Sequence, residues 1–132
     1  MPARILIVED EMLVALELEN VLCDLGHEPI GIVPDVQAAE LYFDEHMDLA
    51  LVDLNLRDGL TGPQIGALLG EKGVTVLFIT ANPGLLGCGI AGAVGVLTKP
   101  TDERTVKAAV DYALGVREGR PVSPPSALQL FG

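Results

Sequence analysis

Four short apolar runs in this chain each end in a polar side chain, and this pattern limits the folds open to it. The runs lead into Glu9 and Asp10, into Asp53, into Thr80 and into Lys99. They are rich in branched aliphatic residues without alternation, which is typical of strands buried on both faces of a parallel sheet. Ligands bind at the carboxyl ends of such strands. We therefore expect three carboxylates, a hydroxyl and an ammonium group to meet in one crevice.

Length and charge narrow the class of protein. A chain of 132 residues predicts one domain with a real core. The net charge is −11, and residues 1–60 hold fourteen acidic and only two basic residues. Such a surface repels phosphate backbones, so no nucleic-acid partner is predicted. Residues 74–98 carry no charge, which could suggest a membrane span, but Asn82-Pro83-Gly84 interrupts them. We therefore expect two buried strands here. We also expect no membrane partner and a cytoplasmic protein. Cys23 and Cys88 are predicted to be small buried thiols.

Helical patterns separate the strands. Helices are expected over 11–25, from Asp35 to about 46, over 62–73, in the glycine-rich stretch after Asn82, and after a Thr101 cap. A weak strand over 29–33 belongs at a sheet edge, because it contains proline and glycine. Five β-α units predict an α/β, doubly wound parallel sheet with five helices. The predicted domain covers 1–118, and 119–132 is predicted to be a flexible C-terminal tail.

The chemistry of the strand endings favours phosphate and a divalent cation. Two carboxylates at 4 Å repel by about 4 kcal/mol at an effective dielectric near 20, and Lys99 neutralises only one charge. Oxygen ligands without histidine or cysteine favour Mg²⁺. A carboxylate can also attack phosphorus to form an aspartyl phosphate, whose oxygens Mg²⁺, Lys99 and Thr80 would neutralise. The alternative is that the acids cap helices and Lys99 makes a structural ion pair.

Four motifs carry a resemblance to a known family. They are Ile-Leu-Ile-Val-Glu9-Asp10-Glu11, Val-Asp53-Leu-Asn-Leu-Arg-Asp58-Gly59, Phe-Ile-Thr80-Ala81-Asn82 and Leu-Thr-Lys99-Pro100. Together they make residues 4–117 resemble the receiver domains of bacterial two-component response regulators, stand-alone chemotaxis-type receivers included. The resemblance implies a flavodoxin-like five-stranded sheet of order 2-1-3-4-5.

The resemblance also implies roles for individual residues. Asp53 would be the phosphoacceptor, and Thr80 and Lys99 would sense and clamp the phosphoryl group. The implied Mg²⁺ ligands are Asp10, Asp53, the backbone carbonyl of Asn55 and, through water, Glu9. Asn55 and Asn82 would tune hydrolysis of the phosphoryl group, and Lys99-Pro100 would be a cis peptide. The implied partners are a sensor histidine kinase or phosphotransfer protein, and a downstream protein on the helix 4–strand 5–helix 5 face. The expected oligomeric state is a monomer or weak dimer.

Two features depart from the family pattern. Val96 stands where receivers usually carry an aromatic residue that swings inward. Glycines 84, 87, 89 and 92 each cost about 1 kcal/mol in a helix interior, so the fourth helix should be short, irregular or mobile. Its uncharged outer face is expected to be an apolar patch. We expect signalling to work by ordering or re-docking this segment; the alternative is a packed loop with no switching role.

Three functions are consistent with these sequence features. The first is a phosphoacceptor response regulator in a two-component or phosphorelay system, which is not an enzyme. The second is a degenerate receiver that binds proteins independently of phosphate. The third is an enzyme or flavin carrier of similar fold, but Glu9-Asp10-Glu11 would repel a cofactor phosphate. An aspartyl-phosphate phosphatase usually has a second aspartate two residues beyond the nucleophile, and that position is Asn55.

Overall fold

The computed structural model describes residues 2–87 and 89–131 of the chain. It is an α/β sandwich in which helices cover both faces of one sheet. The strands are β1 (Arg4–Val8), β2 (Glu28–Val33), β3 (Leu49–Val52), β4 (Thr75–Thr80), β5 (Ala93–Thr98) and β6 (Gln129–Leu130). The helices are α1 (Met12–Asp24), α2 (Val36–Glu40), α3 (Gly62–Glu71) and α4 (Glu103–Arg117).

The sheet has the order β2-β1-β3-β4-β5-β6. The first five strands are parallel in the predicted order 2-1-3-4-5, with β2 at an edge as expected. Two hydrophobic clusters lie on opposite faces of the sheet; α1 and α4 cover one, and α2 and α3 cover the other. The buried face of α4 is the predicted stripe: Val106, Ala109, Val110, Ala113 and Leu114. Its cap is Asp102 and not Thr101, because the Asp102 carboxylate accepts a hydrogen bond from the Thr105 amide.

Helix α2 is shorter than predicted and ends at Glu40 instead of about residue 46. After it the backbone tightens: the amides of Tyr42 and Phe43 donate to the carbonyls three residues earlier. The tight turns carry Tyr42 over Gly31, where an added Cβ would lie 2.3 Å from the tyrosine hydroxyl. The glycine that weakens β2 as a strand therefore makes room for an aromatic ring.

The described residues form four α-helices and not the predicted five, and the difference lies at the predicted fourth helix. A 3-10 turn over Pro83–Leu86 takes its place, and the chain then runs through Gly87 and Gly89, both with positive φ, toward β5. The predicted irregularity is correct, because these glycines adopt backbone conformations that a helix does not contain. Within this turn Leu85 is exposed, whereas Leu86 is buried.

Part of the segment predicted as a flexible tail is packed onto the sheet. Residues Gln129 and Leu130 pair with Val96 and Gly95 as an antiparallel sixth strand. Leu128, just before this strand, is 6% exposed and belongs to the core beside α4. The sequence prediction missed this strand because β6 is only two residues long and follows a proline-rich stretch.

The prediction of two buried cysteines is wrong for Cys23, and Cys88 cannot be compared with it. Cys23 is exposed on α1 and not buried, because it lies on the side of the helix away from the buried Leu22. Cys88 lies outside the described residues. Among the residues that are described, none of the helices is long and apolar enough to cross a membrane.

Candidate functional site

The acidic residues meet because of how β1 and β3 pair. Val8 lies opposite Val52, so the residues after the two strands emerge side by side. One carboxylate oxygen from each of Glu9, Asp10 and Asp53 lies within 4.8 Å of the others. Glu9 and Asp53 are buried and Asp10 is exposed. The carboxyl edge of the sheet thus holds three carboxylates in one place.

Lys99 supplies the positive charge of the site. Its Nζ lies 2.8 Å from Glu9 Oε1 and 2.8 Å from Asp53 Oδ2. The lysine follows β5, beyond β4 in the sheet, so its side chain reaches across the strand ends to β1 and β3. The peptide bond from Lys99 to Pro100 is cis, as the resemblance implied. One ammonium group therefore bridges two buried carboxylates.

The Asp53 side chain is held in one orientation. Its Oδ1 accepts a 2.7 Å hydrogen bond from the Leu54 amide, while Oδ2 accepts the bond from Lys99. The N-terminus of α3 packs directly on this backbone at Gly62. A Cβ added to Gly62 would lie 2.0 Å from the Asp53 carbonyl oxygen. Sequence reasoning read Gly62 only as a helix start and missed its contact with the site.

The remaining predicted residues line the cavity around these groups. The cavity has a volume of about 270 Å³, and Asp10, Asn55, Asn82 and Thr80 are among its walls. Thr80 is fully buried, and its Oγ1 accepts a 3.1 Å hydrogen bond from the Asn82 amide. Glu9 Oε2 accepts a hydrogen bond from the backbone amide of Glu11, in the loop that follows β1. All the predicted site residues thus meet at one end of the sheet.

Burial and charge shift two pKa values at the site. Burial raises the pKa of Glu9 above its ordinary value, and the nearby Asp53 charge adds to this, although the Lys99 hydrogen bond opposes it. Burial alone would lower the pKa of Lys99, but its hydrogen bonds to Asp53 and Glu9 outweigh burial and raise that pKa. The charged form of Lys99 is therefore favoured between the two carboxylates that it contacts.

This donor set fits a hard divalent cation. Mg²⁺ prefers oxygen ligands and is usually held by one or two carboxylates together with waters. The exposed Asp10 and the Asp53 carboxylate face the same cavity, which Asn55 also lines. Three carboxylates against one ammonium leave an unbalanced negative charge that such an ion would offset.

A larger cavity of about 580 Å³ lies beside the site, between α1 and α4. It shares Glu11 and Lys99 with the acidic pocket, and both aliphatic side chains such as Leu18 and Val106 and carboxylates such as Glu17 line it. The acidic cluster belongs to the smaller cavity, so the polar chemistry lies there.

A doubly wound sheet with three carboxylates and a bridging lysine at its carboxyl edge is the arrangement that the sequence resemblance to receiver domains implied. Residues 5–111 match the family model of the response regulator receiver domain. The chain belongs to this family, and the receiver domain is itself a signalling module rather than an enzyme.

Three relatives illustrate the similarity. The phyllosphere-induced regulator PhyR of Methylorubrum extorquens is 36% identical over 118 residues, which cover 86% of this chain and 44% of that protein. The PhyR receiver domain of Erythrobacter litoralis is 33% identical with a TM-score of 0.78, covering 92% of this chain and 96% of that one. The anti-anti-sigma factor PhyR of Bartonella quintana is 29% identical with a TM-score of 0.76, covering 90% and 50%. This chain therefore spans less than half the length of the first relative.

Proposed function

We propose that this chain is a phosphoacceptor response regulator in a two-component or phosphorelay system. Asp53 accepts a phosphoryl group from a histidine kinase or phosphotransfer protein, and the chain then signals by protein contact. The observation that carries the proposal is Lys99 Nζ, 2.8 Å from both Glu9 and Asp53, at a cavity that Asp10 and Thr80 also line. A helix cap or a simple ion pair does not require this joint arrangement.

In the proposed reaction a free electron pair on Asp53 attacks phosphorus of a phosphohistidine. The new O–P bond forms as the N–P bond breaks, and the leaving imidazole keeps the electron pair and takes a proton from solvent. The Leu54 amide and Lys99 hold the carboxylate in one orientation, so little ordering remains for the transition state. Lys99 then neutralises one phosphoryl oxygen. The Thr80 hydroxyl, whose oxygen accepts a hydrogen bond from the Asn82 amide, donates its proton to a second phosphoryl oxygen.

The metal ligands follow the family pattern in this proposal. Asp10, Asp53 and the Asn55 carbonyl would hold Mg²⁺, and Glu9 would act through water. The ion, when bound, neutralises charge on the transferred phosphoryl group. Glu9 also keeps Lys99 in place through the Oε1 contact, so its loss should disturb the lysine even without metal.

An exposed apolar patch on α1 suits the donor protein. Met12, Leu13 and Leu16 are 60%, 79% and 42% exposed, and α1 begins directly after the acidic loop. Contiguous exposed apolar side chains mark protein contact sites. A partner seated on this patch would bring its phosphorylated side chain to the mouth of the pocket.

The output of the proposed switch is the segment that replaces the fourth helix. Val96 is small and 1% exposed, so no aromatic lever exists at that position. The chain after Asn82 instead forms a 3-10 turn over Pro83–Leu86, and Gly87 and Gly89 beyond the turn have positive φ. We infer that phosphorylation changes the order of this segment; hydrogen exchange over the described part of 82–95, with and without a beryllofluoride phosphoryl mimic, should differ. Unchanged protection contradicts this output.

Intact mass tests the phosphoacceptor directly. Incubation with Mg²⁺ and acetyl phosphate should add one phosphoryl group to the wild type, and EDTA should abolish it. Asp53→Ala should gain none, whereas Asp58→Asn is the matched control, because Asp58 bonds Thr61 and the Val36 amide outside the pocket. No adduct with any small donor favours the phosphate-independent interaction module.

A further inference from the structure

Residues 129–131 cover the outer edge of β5. Gln129 and Leu130 pair antiparallel with Val96 and Gly95, although every other strand pair in the sheet is parallel. The Phe131 amide then donates a 3.2 Å hydrogen bond to the Val94 carbonyl. Without this segment β5 would present an unpaired edge with free amides and carbonyls, which is a ready template for another strand.

Two apolar anchors hold this segment from opposite faces of the sheet. Leu128 is 6% exposed and joins the core on the sheet face that α1 and α4 cover. Phe131 packs against the other core, with its ring centroid 6.4 Å from that of Phe78. Leu130, between the anchors, is 45% exposed. The segment therefore straddles the edge, and its anchors are a leucine and, three residues later, an aromatic ring.

The surface that receives these anchors is shaped by glycines. A Cβ added to Gly95 would lie 2.4 Å from the Gln129 carbonyl oxygen, so a side chain there would block the incoming strand. A Cβ added to Gly89 would lie 2.5 Å from Phe131 Cγ, so this glycine leaves room for the ring. The β5 edge thus combines backbone pairing with a slot for an aromatic side chain.

The strand that occupies the edge is shorter than the edge itself. β5 spans Ala93–Thr98, but β6 pairs only with Gly95 and Val96. A longer strand could continue along Leu97 and Thr98 and form more backbone hydrogen bonds. Attachment to the same chain favours β6, because short linkers give effective concentrations of about millimolar. A competing strand must exceed that advantage through its longer pairing.

We propose that the outer edge of β5 is a strand-addition site for an extended apolar segment of a partner protein. The partner strand carries a leucine and, three residues later, an aromatic residue, and β6 occupies the site in cis until it is displaced. Main-chain pairing supplies affinity and the two anchor positions supply specificity, as in other cases of strand addition. This inference does not depend on phosphorylation of Asp53.

The test weakens the internal strand in the full chain and offers a replacement. The probe is a fluorescein-labelled peptide with the sequence of residues 126–132, Ser-Ala-Leu-Gln-Leu-Phe-Gly. In the double variant Leu128→Ser and Phe131→Ser, amides 94–97 should exchange faster than in the wild type. The peptide should bind this variant about tenfold or more tighter than the wild type, because the cis competitor is lost, and should restore the protection.

Controls separate strand addition from nonspecific binding. Leu130→Ser alters an exposed position and should leave exchange and peptide binding as in the wild type. Gly95→Ala should displace β6 and yet not bind the peptide, because the Cβ obstructs any strand at this edge. A peptide carrying the Phe131→Ala change should bind the double variant more weakly. Circular dichroism verifies folding, and Phe131→Ser alone replaces the double variant if that variant is unfolded.

Three results overturn the proposal. The first is a double variant in which amides 94–97 exchange faster but which binds no peptide, so that the protection of these amides does not return. The second is an edge whose amides stay protected without the anchors. The third is a concentration-dependent dimer of the double variant that protects amides 94–97, which would assign the edge to a second copy of the chain and not to a partner strand.

Discussion

Lys99 is the residue whose charge matters most to the electrostatics of the site. Its ammonium lies between Glu9 and Asp53, whose side chains are 2% and 9% exposed. Removing one member of a buried ion pair leaves the others without compensation, which costs more than the pair itself contributes. The lysine therefore stabilises the metal-free fold as well as serving the proposed phosphoryl chemistry.

We predict that Lys99→Met lowers the free energy of unfolding without Mg²⁺ by roughly 1–3 kcal/mol, below the 3–5 kcal/mol of a fully buried pair because Lys99 is partly exposed. Mg²⁺ should recover part of the loss by neutralising the same carboxylates. Urea unfolding with and without Mg²⁺ measures both effects. Lys107→Met, which breaks a solvent-exposed pair with Glu103, should cost clearly less than Lys99→Met and show no recovery with Mg²⁺. An equal loss in both variants contradicts the role of Lys99.

The stability that the Asp35 carboxylate contributes should depend on pH. Its pKa lies below the ordinary value, because the Ala38 amide and the Arg57 guanidinium bind the charged carboxylate. A lowered folded-state pKa gives stability that is present above the ordinary value of about 3.9 and is lost as pH falls through the folded-state pKa. Asp35→Ser keeps a cap oxygen but removes the charge. The stability gap between wild type and this variant, measured by urea unfolding, should narrow below about pH 4; a constant gap from pH 6 to pH 2 contradicts it.

At the scale of elements, glycines decide where helices can pack and where they cannot form. Gly66 lies in α3, where an added Cβ would be 2.5 Å from the Phe78 ring. Gly84 lies in the 3-10 turn with open space around it, and Gly87 follows the turn at φ 56°. The same residue type therefore has three different physical roles.

We predict that Gly66→Ala destabilises the domain by about 1–3 kcal/mol through overpacking against Phe78. Helix propensity alone would have predicted a gain of about 1 kcal/mol, so the sign of the change tests the packing. Thermal and urea unfolding report it. A stabilised variant would show that α3 sits farther from β4 than the structure has it.

The irregular segment offers a matched pair of substitutions. Gly84→Ala meets no neighbouring atom and should stabilise the domain by about 0.4–1 kcal/mol by restricting the unfolded chain. Gly87→Ala forces a side chain into a positive-φ conformation and should destabilise it by about 1–2 kcal/mol. Urea unfolding compares the two. Equal effects would indicate that the 3-10 turn does not persist in solution.

At the scale of the whole molecule, residues 128–131 of the chain cover the β5 edge of its own sheet. Leu128 and Phe131 extend the two cores past the boundary at residue 118 that the sequence predicted. The boundary itself stays a prediction. The packing of these two residues indicates that the segment after it contributes to the stability of the domain.

Leu128→Ala should therefore lower the free energy of unfolding by about 2–3 kcal/mol, as expected for a buried leucine. Leu130→Ala, at an exposed position of the same strand, should change it by no more than about 0.5 kcal/mol. Urea unfolding of both variants measures the difference. Two small effects would mean that residues 128–131 act as a tail in solution.

The sequence by itself determined the parallel sheet and the residues of the acidic pocket. Continuous apolar runs are specific for buried parallel strands, and the residue after each run must lie at the carboxyl edge. For the same reason Glu9, Asp53, Thr80 and Lys99 were placed together from their positions alone. Periodicity also gave the buried stripe of α4, because that helix is long enough to show it.

Only the tertiary structure decided the features that depend on distant neighbours. The sequence could not show that Gly62 packs on the Asp53 backbone, that α2 tightens after Glu40, or that Lys99 bridges Glu9 as well as Asp53. Nor could it place β6 on β5, because a two-residue strand has no periodicity. Local pattern fixes an element when many residues agree, whereas single contacts between remote residues depend on where the rest of the chain has placed their partners.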